Sequence, residues 1–290
     1  MSVLVFGNSG QVGREIVRLA DDLKLTFIFL GRDEADLSYP DKCEELILAR
    51  EPSAVINAAA WTAVDAAENA EAEASVVNGE APGAMARACA KLSIPFLHIS
   101  SDYVFDGSGH YPWRPHDSVG PLGAYGRSKL LGEQLVQESG ARAIILRTSW
   151  VFSAHGSNFV KTMLRLGGER SQLNVVGNQV GGPTSASSIA RSVVTLIEAL
   201  LKGGSGGIFH FSGTPDVSWA EFAGTIMDLA GLSCEIEPIL STDYPMESPR
   251  PLNSRMDCSA LLETYGIPRD AWVNDLEHVL TELAEKSDAT

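Results

Sequence analysis

The first 150 residues alternate between short apolar runs and segments in which apolar residues recur at helical spacing. Strands separated by helices indicate βαβ units, and near-continuous apolar strands fit a parallel sheet that is covered on both faces. We therefore predict an α/β fold built on a doubly wound Rossmann sheet. Its strands are expected at 3–6, 25–30, 54–57, 95–100 and 143–148, and its helices at 11–23, 43–50, 81–92 and 125–139.

The alternation becomes less regular after Trp150. We predict helices at 159–166, 188–201, 219–230 and 275–285, and a strand at 207–212 that returns to the main sheet. Glycine and proline indicate a loop at 177–184 and irregular structure at 239–255, and the polar tail 285–290 is expected to fray. The chain then divides into a Rossmann domain at 1–150, rejoined by about 185–213, and a smaller C-terminal α/β cap at 151–184 and 214–290.

The charge of the chain restricts its partners. With 37 acidic and 22 basic residues the net charge is −15, which argues against nucleic acid or an anionic membrane as a partner. No apolar run approaches the ~18 residues of a membrane span, and the first residues lack a signal-peptide pattern. The four cysteines are widely spaced, as expected of free thiols in a reducing compartment. These features predict a cytoplasmic protein.

A glycine-rich turn follows the first predicted strand and opens the first predicted helix. Its GxxGxxG spacing allows the backbone to approach a phosphate closely, and the helix N-terminus offers free N–H groups to it. An ordinary βα turn is the alternative interpretation. The motif predicts a dinucleotide site that includes Gly7, Ser9, Gly10, Gln11, Val12 and Gly13.

The end of the second strand should select the cofactor. A carboxylate there binds the ribose 2′-hydroxyl of NADH, whereas an arginine accepts the 2′-phosphate of NADPH. Arg32 favours NADPH, but Asp33 would favour NADH if it faced the ribose, and both residues could also be a solvated charge pair. We expect NADPH and leave NADH open.

A candidate catalytic pair lies on the predicted helix 125–139. Tyr125 and Lys129 share one face, because residues i and i+4 of a helix are neighbours. A cation near a tyrosine favours its ionised form, so Lys129 is expected to lower the pKa of Tyr125. Ser101 follows a predicted strand, and the carboxyl ends of strands are where active groups of open α/β sheets gather. The alternatives are a surface helix pair and a serine that caps a turn.

Eight motifs in order give the chain a family resemblance: GNSGQVG at Gly7, NAAAWTAVDAAE at Asn57, HISSDYVFDG at His98, YGRSKLLGE at Tyr125, RTSWVF at Arg147, NFVKTML at Asn158, GGPTS at Gly181 and RPLNSRMD at Arg250. The sequence resembles the extended short-chain dehydrogenases/reductases, and among them the dTDP-4-dehydrorhamnose reductase family. The resemblance implies NADPH-dependent reduction of the C4 ketone of dTDP-4-dehydro-6-deoxy-L-mannose to dTDP-L-rhamnose. The first domain would then bind NADP and the cap a dTDP-sugar.

The same resemblance implies roles for individual residues. Ser101, Tyr125 and Lys129 would be catalytic, and the last two would also contact the cofactor. Further cofactor contacts would come from Asp36, Leu37, Ala58, Ala59 and Ala60, and substrate contacts from Thr62, Val64, Asp102, Tyr103, Trp150, Asn158 and Arg250.

Two of these residues also have simpler interpretations. Trp150 can offer a sugar a flat apolar wall and an N–H donor, or it can be a core aromatic residue after a strand. Arg250 can bind a diphosphate bidentately, or it can be a solvated loop charge.

One family feature is not matched. Some relatives dimerise through Mg²⁺ held by carboxylates of two helices; Glu15 matches one such position, but the other falls at Ser187. A hydroxyl is a poor replacement for a carboxylate at a hard cation. We expect no Mg²⁺ site and a monomer or weak homodimer.

Related chemistries remain alternatives. Sugar 4,6-dehydratases place an acidic pair after the catalytic hydroxyl, whereas here Asp102 is followed by Tyr103, which disfavours elimination. Epimerases of this fold keep NAD tightly bound. A regulatory subunit of the same fold would lack turnover, and the intact Ser–Tyr–Lys set argues against it.

Overall fold

The structure, a computed structural model, describes residues 1–20 and 25–288. Its strands in that part of the chain are β1 (Ser2–Phe6), β2 (Thr26–Leu30), β3 (Ala54–Asn57), β4 (Phe96–Ser101), β5 (Ala143–Thr148), β6 (Val151–Phe152), β7 (Gln172–Val176), β8 (Val180–Gly181), β9 (Thr184–Ser185), β10 (Gly207–His210), β11 (Val217–Ser218), β12 (Glu235–Ile239) and β13 (Asn253–Ser254).

The helices lie between these strands and after the last of them. They are α1 (Gln11–Ala20), α2 (Pro40–Arg50), α3 (Val64–Asn69), α4 (Glu71–Ser75), α5 (Ala81–Leu92), α6 (Ala124–Glu138), α7 (Phe159–Glu169), α8 (Ala186–Leu201), α9 (Trp219–Ala230), α10 (Ser259–Tyr265) and α11 (Trp272–Asp288). A π-helical turn at Val76–Glu80 joins α4 to α5, and 3₁₀ turns lie at Asp102–Val104 and Ser241–Asp243.

Six strands form one parallel sheet in the order β2-β1-β3-β4-β5-β10. The chain crosses from one half of the sheet to the other between β1 and β3, and such a switch point opens a crevice outside the carboxyl ends of the strands. The predicted doubly wound parallel sheet is confirmed, and the strand expected at 207–212 does return to it.

Alternating side chains of the central strands form two separate cores. Val3 and Val5 of β1 pack with α1 and α8 on one face, whereas Leu4 and Phe6 pack with α2, α5 and α6 on the other. Burial of both faces explains why these strands are near-continuously apolar. The sheet is therefore a rigid platform whose carboxyl edge carries the loops of the site.

The C-terminal segments form a third core of their own. Helices α7, α9 and α11 pack around the parallel pair β7 and β12, with Phe152, Phe222 and Trp272 among the buried aromatic residues. Ser218 and Glu221 form a reciprocal capping box that starts α9. Among the described residues, no helix is long and apolar enough to cross a membrane.

Several predicted bounds are wrong by a few residues, for identifiable reasons. Helix α8 begins before 188 because the Ser185 hydroxyl caps it by accepting a hydrogen bond from Ser188 N–H. Helix α7 extends past 166 to Glu169, and α11 begins at Trp272 and continues through most of the tail that was expected to fray. The predicted loop 177–184 contains β8, which pairs with β11 and β13. Residues 21–23 of the first predicted helix and residues 289–290 of the tail lie outside the described residues.

Candidate active site

The glycine turn between β1 and α1 brings two backbone segments into close contact. Gly7 has a φ of +97°, and a Cβ atom there would lie 2.7 Å from the backbone nitrogen of Ala59. A Cβ atom on Gly13 would lie 1.9 Å from the carbonyl oxygen of Gly7. Both positions therefore require glycine, and the N-terminus of α1 is left open to a phosphate, as a dinucleotide cradle requires.

A cleft of about 880 Å³ runs along the carboxyl edge of the sheet, from the glycine turn to the start of α6. Gly13 and Arg250 are the two predicted site residues that do not line it. The lining includes all the others: Gly7, Ser9, Gly10, Gln11, Val12, Arg32, Asp36, Leu37, Ala58, Ala59, Ala60, Thr62, Val64, Ser101, Asp102, Tyr103, Tyr125, Lys129, Trp150 and Asn158.

The end of β2 presents an exposed cation to the cleft. Arg32 keeps 80% of its side chain exposed, and its Nε lies 3.4 Å from Asp36 Oδ2. Asp36 also accepts a hydrogen bond from the backbone N–H of Ser38, which is the main cause of the lowered pKa of Asp36. Asp33 is exposed and does not line the cleft. An exposed guanidinium at this position fits a 2′-phosphate better than a 2′-hydroxyl.

Ser101, the last residue of β4, is buried at the centre of the cleft. Its hydroxyl donates to Asp102 Oδ1 at 3.1 Å and accepts from the backbone N–H of Tyr103 at 3.2 Å. Burial raises the pKa of Asp102 to about 6, although the nearby Ser254 and Ser101 side chains act in the opposite direction. The Ser101 oxygen is thus held in place by its two chain neighbours.

Tyr125 and Lys129 lie on the first turns of α6 and face the cleft. Burial raises the pKa of Tyr125 to about 12, and a hydrogen bond with Ser101 is the interaction that opposes this rise. The expectation that Lys129 lowers the pKa of Tyr125 is therefore not met in this structure, because desolvation dominates. Tyr125 stays protonated at neutral pH, as a proton donor must.

Lys129 is buried and has polar neighbours on β4. Its Nζ donates to the carbonyl oxygen of Ile99 at 2.8 Å and lies 3.5 Å from His98 Nε2. Burial lowers the pKa of Lys129 to about 8, and the negative charge of Glu133 opposes this. Burial also lowers the pKa of His98 well below its usual value, so the ring is neutral beside the ammonium.

The π-helical turn supplies a residue that the sequence interpretation missed. Asn78 Oδ1 accepts from Trp61 N–H at 2.8 Å, and Asn78 Nδ2 donates to the Trp61 carbonyl and to Ser128 Oγ. Ser128 in turn donates to the carbonyl oxygen of Tyr125 at 2.7 Å. Asn78 therefore connects the loop after β3 to the helix of Tyr125, and π-helical turns are frequent at functional sites.

Several residues that line the cleft were also missed. Glu73 and Val77 belong to short helical segments that the sequence did not predict. Thr148, by contrast, ends β5 and Ser149 follows it, so the rule that sites gather at the carboxyl ends of strands could have identified them. Thr148 Oγ1 is buried and has no hydrogen-bond partner among the described residues. Such a group in the cleft fits a polar ligand.

Aromatic and amide side chains of the C-terminal segments border the cleft. Trp150 stacks on Trp219 with ring centroids 3.5 Å apart, so one of its faces packs against the third core. Asn158 caps α7 by accepting from Lys161 N–H, and its Nδ2 donates to Gln11 Oε1 at 2.9 Å. Trp150 is thus an aromatic residue of that core that also lines the cleft, and Asn158 connects α7 to the glycine turn.

Arg250 forms an ion pair with Asp65 of α3. Its Nη2 donates to Asp65 Oδ2 at 2.8 Å, and Ser248 N–H donates to Oδ1 of the same carboxylate. Glu68 accepts from Ser248 Oγ and from Ala124 N–H at the start of α6. Arg250 is therefore neither a solvated loop charge nor a lining residue of the cleft, because Asp65 holds it.

The residues at the family's magnesium position do not fit a hard cation. Glu15 Oε1 lies 3.0 Å from His155 Nε2 and 3.4 Å from Arg18 Nη1, and Ser187 Oγ accepts from Arg191. A cation would compete with these groups for one carboxylate. Within residues 1–20 and 25–288, no group of three or more His, Cys, Asp or Glu side chains could hold a metal ion.

Comparison with known proteins agrees with this geometry. The sequence matches the family described as RmlD substrate binding domain over residues 1–285. The dTDP-4-dehydrorhamnose reductase of Sinorhizobium fredii is 40% identical, over 98% of this chain and 98% of its own.

Two solved structures are similar over nearly their whole length. The dTDP-4-dehydrorhamnose reductase from Clostridium acetobutylicum has a TM-score of 0.93 and 33% identity, covering 98% of this chain and 100% of its own. The one from Bacillus anthracis, solved in complex with NADP, has a TM-score of 0.90 and 30% identity, covering 97% and 99%. The chain belongs to the dTDP-4-dehydrorhamnose reductase family.

Proposed function

We propose that this chain reduces the C4 ketone of dTDP-4-dehydro-6-deoxy-L-mannose to dTDP-L-rhamnose with NADPH. The observation that carries the proposal is that Ser101, Tyr125 and Lys129 line one cleft together with the glycine turn. The named relatives are dTDP-4-dehydrorhamnose reductases, and one was solved with NADP.

The cofactor would lie along the inner wall of the cleft. The glycine turn and the N-terminus of α1 would bind its pyrophosphate, and Arg32 its 2′-phosphate. Asp36 and Leu37 would contact the adenine, while Ala58, Ala59 and Ala60 would border the nicotinamide together with Tyr125 and Lys129. NADPH supplies a hydride to the ketone carbon when it is bound.

The chain's own residues act on the ketone oxygen. Ser101 and Tyr125 would hold this oxygen by hydrogen bonds, which strengthen as negative charge develops on it. Tyr125 delivers its proton to the oxygen, and the Lys129 ammonium stabilises the tyrosinate that is left. The raised pKa of Tyr125 keeps it protonated until that step.

The substrate would occupy the outer wall. We propose that residues 1–150 with about 185–213 bind the cofactor and that 151–184 and 214–290 form the cap over a dTDP-sugar. Thr62, Val64, Asp102, Tyr103, Trp150 and Asn158 would contact the sugar nucleotide, and Arg250 would exchange Asp65 for the diphosphate. The acidic chain would act in the cytoplasm, without nucleic acid or membrane, as a monomer or weak homodimer.

A coupled assay tests the function directly. The 4-keto-6-deoxysugar is generated in situ by a dTDP-glucose 4,6-dehydratase and a 3,5-epimerase, and NADPH absorbance is followed. We expect NADPH consumption that requires the epimerase and yields dTDP-L-rhamnose. Absence of consumption with cofactor still bound would refute the proposed substrate. Parallel kinetics with NADH test the cofactor, and a clear NADH preference would refute the role of Arg32.

Replacement of the proton donor tests the mechanism. Tyr125→Phe should lower kcat by about 10²- to 10⁴-fold, because it removes general acid catalysis, and NADPH binding should persist. Tyr111→Phe is the matched control, since Tyr111 is 88% exposed. If Tyr125→Phe retained a tenth or more of the turnover, another group would have to be the acid.

A further inference from the structure

A buried ion pair connects α6, the helix of Tyr125 and Lys129, to β5. Arg147 on β5 donates to both oxygens of Glu133 on α6, at 2.9 Å from Nε and 2.6 Å from Nη2, and neither side chain is more than 2% exposed. Arg147 also donates to the carbonyl oxygen of Pro115 at 3.1 Å. Buried ion pairs contribute little net stability because desolvation is costly, so this pair calls for another role.

The same carboxylate reaches the strand that carries the catalytic serine. Ser100 Oγ donates to Glu133 Oε1 at 2.5 Å. Ser100 lies between Ile99, whose carbonyl oxygen accepts from Lys129, and Ser101. Glu133 itself follows Lys129 by one turn of α6. One carboxylate therefore connects the end of β4 to the helix that carries Tyr125 and Lys129.

We propose that Glu133 is a positioning residue for the reduction. It holds Ser101 on β4 at a fixed distance from Tyr125 on α6, and it places a negative charge one helical turn from the Lys129 ammonium. Arg147 keeps the carboxylate oriented towards Ser100. The inference rests on the proposed function, because it assigns a role relative to the proposed catalytic residues.

The charges around Lys129 make Glu133 its counterion. On β4, His98 is neutral at Nε2, 3.5 Å away, and contributes no charge. On α6, Tyr125 is protonated and Glu133 is the group that opposes the lowering of the Lys129 pKa by burial. On β5, Arg147 lies behind Glu133 and is compensated by it. Loss of the Glu133 charge would leave Lys129 and Arg147 buried without this counterion.

Four variants separate the effect of the length of the Glu133 side chain from the effect of its charge. Glu133→Gln removes the charge, and Glu133→Asp keeps the charge but shortens the side chain. Ser100→Ala removes the hydrogen bond from Ser100 on β4 to Glu133 and leaves the carboxylate in place. It therefore remains informative even if the buried Glu133→Gln variant does not fold. Glu138→Gln, at an exposed position of the same helix, is the matched control. The readouts are kcat, the pH profile of kcat/KM, and NADPH binding by fluorescence between pH 6 and 10.

The expected results differ between the variants. Glu133→Gln should lower kcat roughly tenfold and shift the alkaline decline of kcat/KM, expected near pH 8 in the unmodified protein, about one unit lower. Glu133→Asp and Ser100→Ala should lower kcat severalfold and leave the alkaline decline where it is. Glu138→Gln should change neither.

The proposal is overturned if Glu133→Gln folds, has a kcat within twofold of that of the Glu138→Gln control, and shows the alkaline decline of kcat/KM at the same pH as that control. It is equally overturned if Glu133→Gln does not fold and Ser100→Ala has an unchanged kcat. As the pH is raised, Glu133→Gln should begin to lose affinity for NADPH at a lower pH than the unmodified protein does. This binding comparison needs no turnover. A protein that binds NADPH but fails to reduce the sugar would therefore refute the proposed function and still test Glu133.

Discussion

Burial shifts four titratable side chains of the cleft towards their neutral forms, and Tyr103, whose pKa it raises, is one of them. Burial raises the pKa of Asp102 to about 6 and that of Tyr125 to about 12, and it lowers that of Lys129 to about 8. Perturbed groups that converge in a cleft are typical of catalytic sites. For a reduction the pattern is useful, since the tyrosine keeps the proton it must deliver.

Asp102 should reduce stability at neutral pH. Its folded pKa of about 6 lies above the ordinary aspartate value of 3.8, so the folded state binds the proton more tightly and loses stability as the pH rises through this window. Asp102→Asn should therefore stabilise the protein above pH 6, by up to about 3 kcal/mol, and have little effect near pH 4. Thermal unfolding at both pH values measures this, with the exposed Asp228→Asn as control. An equal Tm change at both values would contradict the argument.

At the scale of elements, the site depends on contacts between segments that are distant in sequence. The loop after β3, the π-helical turn and α6 meet through Asn78, which contacts Trp61 and Ser128. A π-helical turn places one extra residue into the helix, so the side chains on either side of it change face. Asn78, in this turn, is buried and directs its side chain to Trp61 and Ser128 rather than into the cleft.

Asn78→Ala should loosen the loop that we propose borders the nicotinamide. It would leave the backbone N–H and carbonyl of Trp61 without their buried partner, at a cost of about 2–4 kcal/mol. We expect the KM for NADPH to rise roughly tenfold, more than kcat falls, because Ala58–Ala60 are proposed to contact the cofactor and not the ketone. Asn69→Ala, at an exposed position at the end of α3, is the control. An unchanged KM for NADPH would show that the loop is held by other contacts.

The strands and helices around the site show where prediction from the sequence succeeds and where it fails. The strands β1, β3, β4 and β5 and the helix α6 were predicted because their apolar periodicity is strong, and with them the positions of Ser101, Tyr125 and Lys129. Segments α3 and α4 were missed because their buried residues, Ala67 and Ala74, are small and give little periodicity. Asn78 and its partner Trp61 are 17 residues apart in the sequence, and Arg250 and its partner Asp65 are 185 residues apart. No local sequence pattern specifies such pairs.

At the scale of the whole molecule, several polar contacts connect residues 151–184 and 214–290 to residues 1–150. At the glycine turn, Gln11 accepts hydrogen bonds from Ser153 and Asn158. On α3, Asp65 and Glu68 accept hydrogen bonds from Ser248. The C-terminal segments are therefore attached to the first 150 residues at more than one place.

The contacts of Glu15 on α1 and Ser187 on α8 bear on whether Mg²⁺ can bridge two copies of the chain. In a magnesium-bridged dimer, carboxylates of two helices would share the cation, but here Glu15 lies against Arg18 and His155, and Ser187 accepts from Arg191. A hydroxyl engaged with an arginine is a poor ligand for Mg²⁺, and the net charge of −15 adds repulsion between copies.

We therefore expect a mass in solution that does not change when Mg²⁺ is added or chelated. Light scattering on size-exclusion chromatography, with Mg²⁺ and then with EDTA, measures this at several protein concentrations. Ser187→Glu provides the matched comparison, because it restores the second carboxylate, and Mg²⁺ should then increase the dimer fraction. A dimer of the unmodified chain that dissociates on chelation would mean that a cation displaces Arg18 from Glu15, and the prediction would be wrong.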